Sequence, residues 1–163
     1  MVSNYPGIIE CIKDDFYYFL DINYLELKKS NNDILIYHKK YKFIFNHESP
    51  KHANLHILEN WEYGENHFIL NNFKYFIKRY TNRINNFKYY INSGNHIIFL
   101  LNRHRINNTD DIKELDIIIK NKYPHLNYNF LFTPHSTSDE CLIDNLKNMG
   151  FSNNDNEIQR LII

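Results

Sequence analysis

The sequence predicts an α/β fold: a largely parallel sheet of βαβ type with helices on both faces, plus an N-terminal helix and a hairpin. Two observations lead there. From Ile97 onward, short apolar runs alternate with amphipathic stretches. The order is strand Ile97–Leu101, helix Thr109–Lys122, strand Tyr128–Phe132, a helix ending at Gly150 and a last strand Ile158–Ile163. Strand–helix–strand alternation in so short a length builds right-handed crossovers between parallel strands. The second observation is a long helical stripe just before this region. Ile69, Phe73, Phe76, Ile77, Tyr80, Ile84, Phe87 and Ile91 recur at helical spacing and predict a helix over 68–92. The 163 residues fit one domain, taken as 1–163.

The elements follow in order. Ile8, Ile12, Phe16, Phe19 and Leu20 share one helical face and predict a helix over 8–20, opened by Pro6 and Gly7. Ile34–Tyr37 and Tyr41–Phe45 flank the polar stretch His38–Lys40 and read as two strands in a hairpin, or as one strand after a turn. Residues 47–66 are polar and His-rich, with Pro50 and Gly64 as breakers, and predict a long loop with a little local helix. Ser93-Gly94 stops the long helix, because Gly takes the left-handed conformation cheaply. Thr109-Asp110-Asp111 opens the next helix with acidic residues at its positive end, and Pro124 closes it. Ile97–Leu101 is apolar throughout, as in a strand covered on both faces. Thr137 with Glu140 forms a capping box for the helix ending at Gly150.

Composition narrows the function classes. Lys and Arg number 19, as do Asp and Glu, so net charge is zero. The basic excess that drives phosphate binding is missing, and no nucleic-acid partner is expected. No apolar run approaches the ~18 residues of a membrane span, so no membrane partner is expected either. Met1–Pro6 lacks a signal-peptide layout. Cys11 and Cys141 are far apart and read as reduced thiols, which points to the cytoplasm. Both fall inside expected helices and suit small buried hydrophobes better than nucleophiles. A Cys141–His135 dyad is the alternative, and it is not favoured. Asn, Ile, Lys and Tyr abound while Ala occurs once, at position 53. Their codons are AT-rich, as in the genome of a large DNA virus of an insect or protist, so localisation would then be the host cytoplasm.

Three groups of residues carry candidate chemistry. His47-Glu48 sits at the end of an expected strand, where a carboxylate beside an imidazole can orient it for acid–base work. The competing reading is a surface His beside a loop carboxylate. His47, His52, His56 and Glu59 lie close together, and His52 and His56 are four apart, as a Zn²⁺ pair on a helix would be. No Glu follows His52 directly, and Pro50 and Asn54 disfavour a helix, so a polar loop is preferred and no metal is assigned. Asn102-Arg103-His104-Arg105 and Thr133-Pro134-His135-Ser136 each follow an expected strand. If those strands are parallel neighbours, both loops share the carboxyl edge where α/β sheets bind ligands. Arg103, Arg105 and His135 are the ligand-binding candidates there, suited to a phosphate or carboxylate. The competing reading is a pair of solvated loops. No glycine-rich phosphate loop is present, and no cofactor is expected. Trp61 reads as an anchor for a partner or a lid.

Four segments together resemble the papain-like cysteine peptidase family of bacteria and large DNA viruses. Asp14-Asp15-Phe16 with Phe19-Leu20 resembles its acidic-Phe segment. Phe45-Asn46-His47-Glu48 is similar to its Phe-x-His-Asp. Tyr80, Arg83, Ile84 and Phe87 match its Tyr-x-x-Arg-Ile-x-x-Phe helix. Ile97-Ile98-Phe99-Leu100 followed by Arg103 is similar to its apolar strand ending in Arg. The resemblance spans residues 8 to 135 and implies His47 and Glu48 as catalytic residues. Two departures stand out. The family's Ser-Leu-Gly-x-x-Cys segment and Pro-Phe-Asp-Trp motif have no counterpart, so the domain is expected to be N-terminally shortened relative to the family. Glu48 also stands where the family has Asp.

A thiolate is the attacking species in such chemistry, so without that Cys the covalent step is lost. The resemblance implies a papain-type helical half and antiparallel barrel. The periodicity after Ile97 predicts βαβ instead and is preferred. The expected function is therefore an interaction or regulatory domain without peptidase activity, binding an unknown protein or a small anionic ligand. The alternative is a hydrolase or transferase at the carboxyl edge of the sheet, acting on an anionic substrate. An upstream in-frame stretch encoding the missing segment would restore the peptidase reading.

Overall fold

The computed structural model describes residues 4–31, 33–102 and 109–133. They form helix α1 (Tyr5–Lys13), strands β1 (Leu25–Ser30), β2 (Asp33–His38) and β3 (Phe43–Ile44), short helix α2 (Leu55–Leu58), long helix α3 (Leu70–Ile91), strand β4 (Ile97–Asn102), helix α4 (Thr109–Lys122) and strand β5 (Tyr128–Thr133). The fold is mixed α/β. β1, β2 and β3 make an antiparallel sheet in that order, with Leu25 opposite His38 and Tyr37 opposite Ile44. β4 and β5 pair in parallel from Ile97–Tyr128 to Asn102–Thr133, with α4 as their crossover.

The parallel expectation therefore applies to one βαβ unit among the described residues, and the larger sheet is antiparallel. The expected helix ending at Gly150 and the strand Ile158–Ile163 lie outside the described residues. The expected hairpin is β2–β3. The additional strand β1 escaped the sequence reading because only Leu25 and Leu27 in it are apolar, and Leu27 is exposed. Lys28 and Lys29 on this outer strand discourage pairing with another chain.

α1 is shorter than the expected helix over 8–20. Asn4 caps its start, accepting the Gly7 N–H on Oδ1 at 2.7 Å. The helix ends at Lys13, and Asp15 and Phe16 take left-handed φ values of 52° and 64°. The Lys122 ammonium of α4 donates to the carbonyls of Ile12 and Lys13, which have no partner inside α1. The apolar spacing continues past the true end because the turn that follows also buries Phe16 and Phe19. Phe19 packs among the rings of Tyr41, Phe43, Phe45 and Tyr80, at 5.3–6.3 Å between centroids. Gly7 lies so close to the hairpin turn that a β-carbon there would collide with the Tyr41 carbonyl oxygen. α1 is thereby pressed onto the β2–β3 connection.

α3 carries the expected stripe, with Phe76, Tyr80, Phe87 and Ile91 buried. Its first turn differs, since Asn71, Asn72 and Phe73 have positive φ and the right-handed helix follows them. Gly94 takes φ +78° just after the helix, as the Ser93-Gly94 stop requires. Between β3 and α3 the chain makes short turns and the four-residue α2, matching a long loop with little helix. No described helix is long and apolar enough to cross a membrane.

Candidate functional site

A cavity of about 410 Å³ lies between α1, the end of β3 and the exposed-to-buried face of α3. Ile8, Ile12, Phe16, Phe19, Phe43 and Phe87 form its apolar walls. Polar groups enter from His47, Glu48, Glu59, Arg79, Tyr80 and Arg83. Such a volume, with mostly apolar walls and a few convergent polar groups, is typical of small-molecule sites.

Glu48 is the centre of the polar group. It is only 1% exposed. The tight turn Asn46–Glu48 follows β3 directly and is locked behind by Ser49. The Ser49 hydroxyl donates to the Phe45 carbonyl at 2.7 Å and accepts the Ile36 N–H at 2.8 Å. This delivers Glu48 inward, where Arg79 and Arg83 on α3 meet it. Arg79 Nε lies 3.3 Å and Arg83 Nη1 3.5 Å from the same oxygen, Glu48 Oε1. Positions 79 and 83 are one helical turn apart, so both guanidinium groups reach one point.

Arg79 also approaches Glu59 Oε2 at 3.8 Å, and that oxygen accepts the Trp61 indole N–H at 3.1 Å. Trp61 packs edge-on against Phe68, whose ring lies under the Arg79 guanidinium. The loop carrying Trp61 is thus tied to α3 through the charged cluster. Two glutamates against two arginines leave the cluster neutral.

Of the buried side-chain polar atoms without a hydrogen-bond partner among the described residues, two belong to residues that line the cavity: Glu48 Oε2 and the Tyr80 hydroxyl. Burial first, and the nearby Glu48 charge second, push the Tyr80 phenol far above its ordinary value, so it stays a hydroxyl. It feels the Glu48 charge without a hydrogen bond of good geometry.

Cys11 lines the same cavity but is 2% exposed. Burial, aided by the Asp14 charge, pushes its thiol far up and keeps it protonated. It is a small core residue in a wall, as its place in a helix suggested.

The sequence candidates divide as follows. His47 and Glu48 both line the cavity, yet His47 is exposed and the Glu48 carboxylate turns to the arginines. His52 lies 3.7 Å from Asp33, and left-handed φ at Lys51, Ala53 and Asn54 separates it from His56 on α2. Among the described residues no group of three His, Cys, Asp or Glu is placed to hold a metal ion. Arg103, Arg105 and His135 lie outside the described residues, as does Cys141. β4 and β5 themselves end side by side, with Asn102 opposite Thr133.

Arg79 was not anticipated, and Glu59 stood out only within the His-rich group weighed for a metal, not as a partner of an arginine. The available signal was Arg79 with Arg83, two cations one turn apart on a helix whose neighbouring positions are apolar. Residues from three of the four segments behind the family resemblance gather at the cavity: Phe16 and Phe19, His47 and Glu48, and Tyr80, Arg83, Ile84 and Phe87. No protein-family model, curated protein or solved structure matches this chain.

Proposed function

We propose that this protein is a binding and regulatory domain without peptidase activity, and that the cavity between α1 and α3 is its working site. It takes a small molecule, or a side chain of a protein partner, against the apolar walls. The observation that carries this reading is the state of the wall groups. Glu48 and Glu59 are engaged by Arg79, Glu48 also by Arg83, and the thiol in the cavity wall, Cys11, is buried and protonated. Such a set holds a ligand and offers no thiolate for attack. Membership of the papain-like cysteine peptidase family remains part of the proposal, with the catalytic step lost. So do action in the cytoplasm, host cytoplasm for a viral protein, and the absence of a nucleic-acid partner. Purified protein should not turn over model peptides. Turnover abolished by a thiol-alkylating reagent would sink the reading.

A second reading rests on the parallel register of β4 and β5. It extends this pair into a largely parallel sheet with helices on both faces, using the segment beyond Thr133. Arg103, Arg105 and His135 would then share one carboxyl edge and serve a hydrolase or transferase acting on a small anionic substrate. Arg103→Ala and His135→Ala should abolish binding of such an anion. Unchanged binding rejects this reading.

A further inference from the structure

We propose that the cavity selects a ligand with an uncharged N–H or O–H donor on an apolar body, the donor being received by Glu48 Oε2 and the ligand's oxygen accepting from the Tyr80 hydroxyl. This rests on the binding reading above and names the ligand's chemical class. Glu48 is 1% and Tyr80 4% exposed, and both line the cavity. Glu48 Oε2 is a buried carboxylate oxygen without a partner, although buried polar atoms nearly always have one. Its companion Oε1 takes both arginines, at 3.3 and 3.5 Å, so the side chain is held while Oε2 remains available. The Tyr80 hydroxyl, also unpartnered, can donate or accept.

The charges decide the class. An anion placed within hydrogen-bond distance of Oε2 meets a buried carboxylate and a repulsion that low polarity strengthens. An ammonium would add a net positive charge to a cluster already balanced by two glutamates and two arginines, beside apolar walls, and would lose its hydration. A neutral donor, such as a primary amide or an alcohol, meets neither cost. It gains a charge-assisted hydrogen bond to Oε2, and an amide carbonyl or hydroxyl oxygen can accept from Tyr80. Phe16, Phe19, Phe43 and Phe87 suit an aromatic or branched aliphatic body. The cavity thus differs in preference from any anion site at the β4–β5 edge.

Three probes of matched size test this: 3-phenylpropanamide, 3-phenylpropanoate and propylbenzene. Each is titrated against the full chain with methyl NMR signals of Ile8, Ile12 and Ile84 as the readout. The amide should bind about tenfold more tightly than either of the others. Tyr80→Phe should shrink that preference, and Glu48→Gln should reduce it further while the hydrocarbon's affinity stays constant. Tighter binding of the carboxylate overturns the proposal and leaves the binding reading standing. Equal binding of amide and hydrocarbon does the same, since water would then satisfy the two polar atoms equally well. Should Glu48→Gln fail to fold, the probe series on the unaltered chain and on Tyr80→Phe decides alone. Silence of all three probes at those methyl groups removes the cavity as a binding site and takes the binding reading with it.

Discussion

The Ser49 hydroxyl oxygen accepts the Ile36 N–H at 2.8 Å, in the place where a longer third strand would have supplied a carbonyl. β3 ends at Ile44, and the Phe45 N–H still pairs with the Ile36 carbonyl. Ser49 completes the ladder from a turn and so fixes the residue before it, Glu48. Ser49→Ala should destabilise the protein by about 1–3 kcal/mol, because it strands a buried N–H. Urea denaturation measures the loss. A change within error would mean that the turn is held by other contacts, and Glu48 with it.

His38 is fully buried and stacked between Tyr24 and Tyr41. The Tyr41 N–H donates to Nδ1, which places the proton on Nε2, facing the Tyr18 carbonyl at 3.0 Å. Both nitrogens are satisfied only in the neutral ring. Burial first, against weaker support from the Tyr18 carbonyl, holds the folded His38 below its ordinary value of 6.5. The unfolded chain therefore binds the proton more readily as pH falls through 6.5. Stability should be full above that pH and should decline below it, towards the folded value. His67 is lowered in the same direction, also by burial, and adds to the slope. His38→Phe should flatten the decline between pH 7 and 5 while costing about 2 kcal/mol at pH 7 from the two stranded backbone groups. Denaturation midpoints that do not move with pH would contradict this.

Arg79 and Arg83 hold the same oxygen of Glu48, so each can cover for the other. Either single change to Ala should cost about 1 kcal/mol, since both arginines are partly solvated. The double change should cost about 3–5 kcal/mol, more than the two singles combined, because Glu48 is then a buried charge without a partner. A double-mutant cycle by thermal or chemical denaturation gives the coupling. Simple additivity would show that Glu48 is held by only one of them.

Cys11 should resist alkylation while the protein is folded. Iodoacetamide needs a thiolate, and burial keeps this thiol protonated and out of reach. Peptide mapping by mass spectrometry should show slow labelling of Cys11 in native buffer and fast labelling in denaturant. Rapid native labelling would mean that the α1 wall opens readily, and would reopen the peptidase question.

Much of the fold was legible because it depends on local pattern. The stripe from Phe76 to Ile91, the helix Thr109–Lys122 and the strands Ile97–Asn102 and Tyr128–Thr133 all announce themselves through periodicity and caps. β1 did not, because an edge strand rich in Lys lacks the apolar alternation that marks strands. The end of α1 at Lys13 was hidden because Phe16 and Phe19 are buried by a left-handed turn at helix-like spacing. His47-Glu48 was visible as a pair, but not the division between them, with one exposed and the other buried.

From sequence alone, the apolar stripes of α1 and α3, the helix and strands of the βαβ unit and the His47-Glu48 pair can be named, since hydrophobic period and capping act within a few residues of chain. Only the tertiary structure decided that Glu48 faces Arg79 and Arg83 rather than His47, and that Cys11 is sealed in a wall. It alone left Glu48 Oε2 and the Tyr80 hydroxyl as neighbours without partners. Those outcomes depend on how α1, the turn after β3 and α3 pack in space, and contacts between segments tens of residues apart leave no local pattern to read.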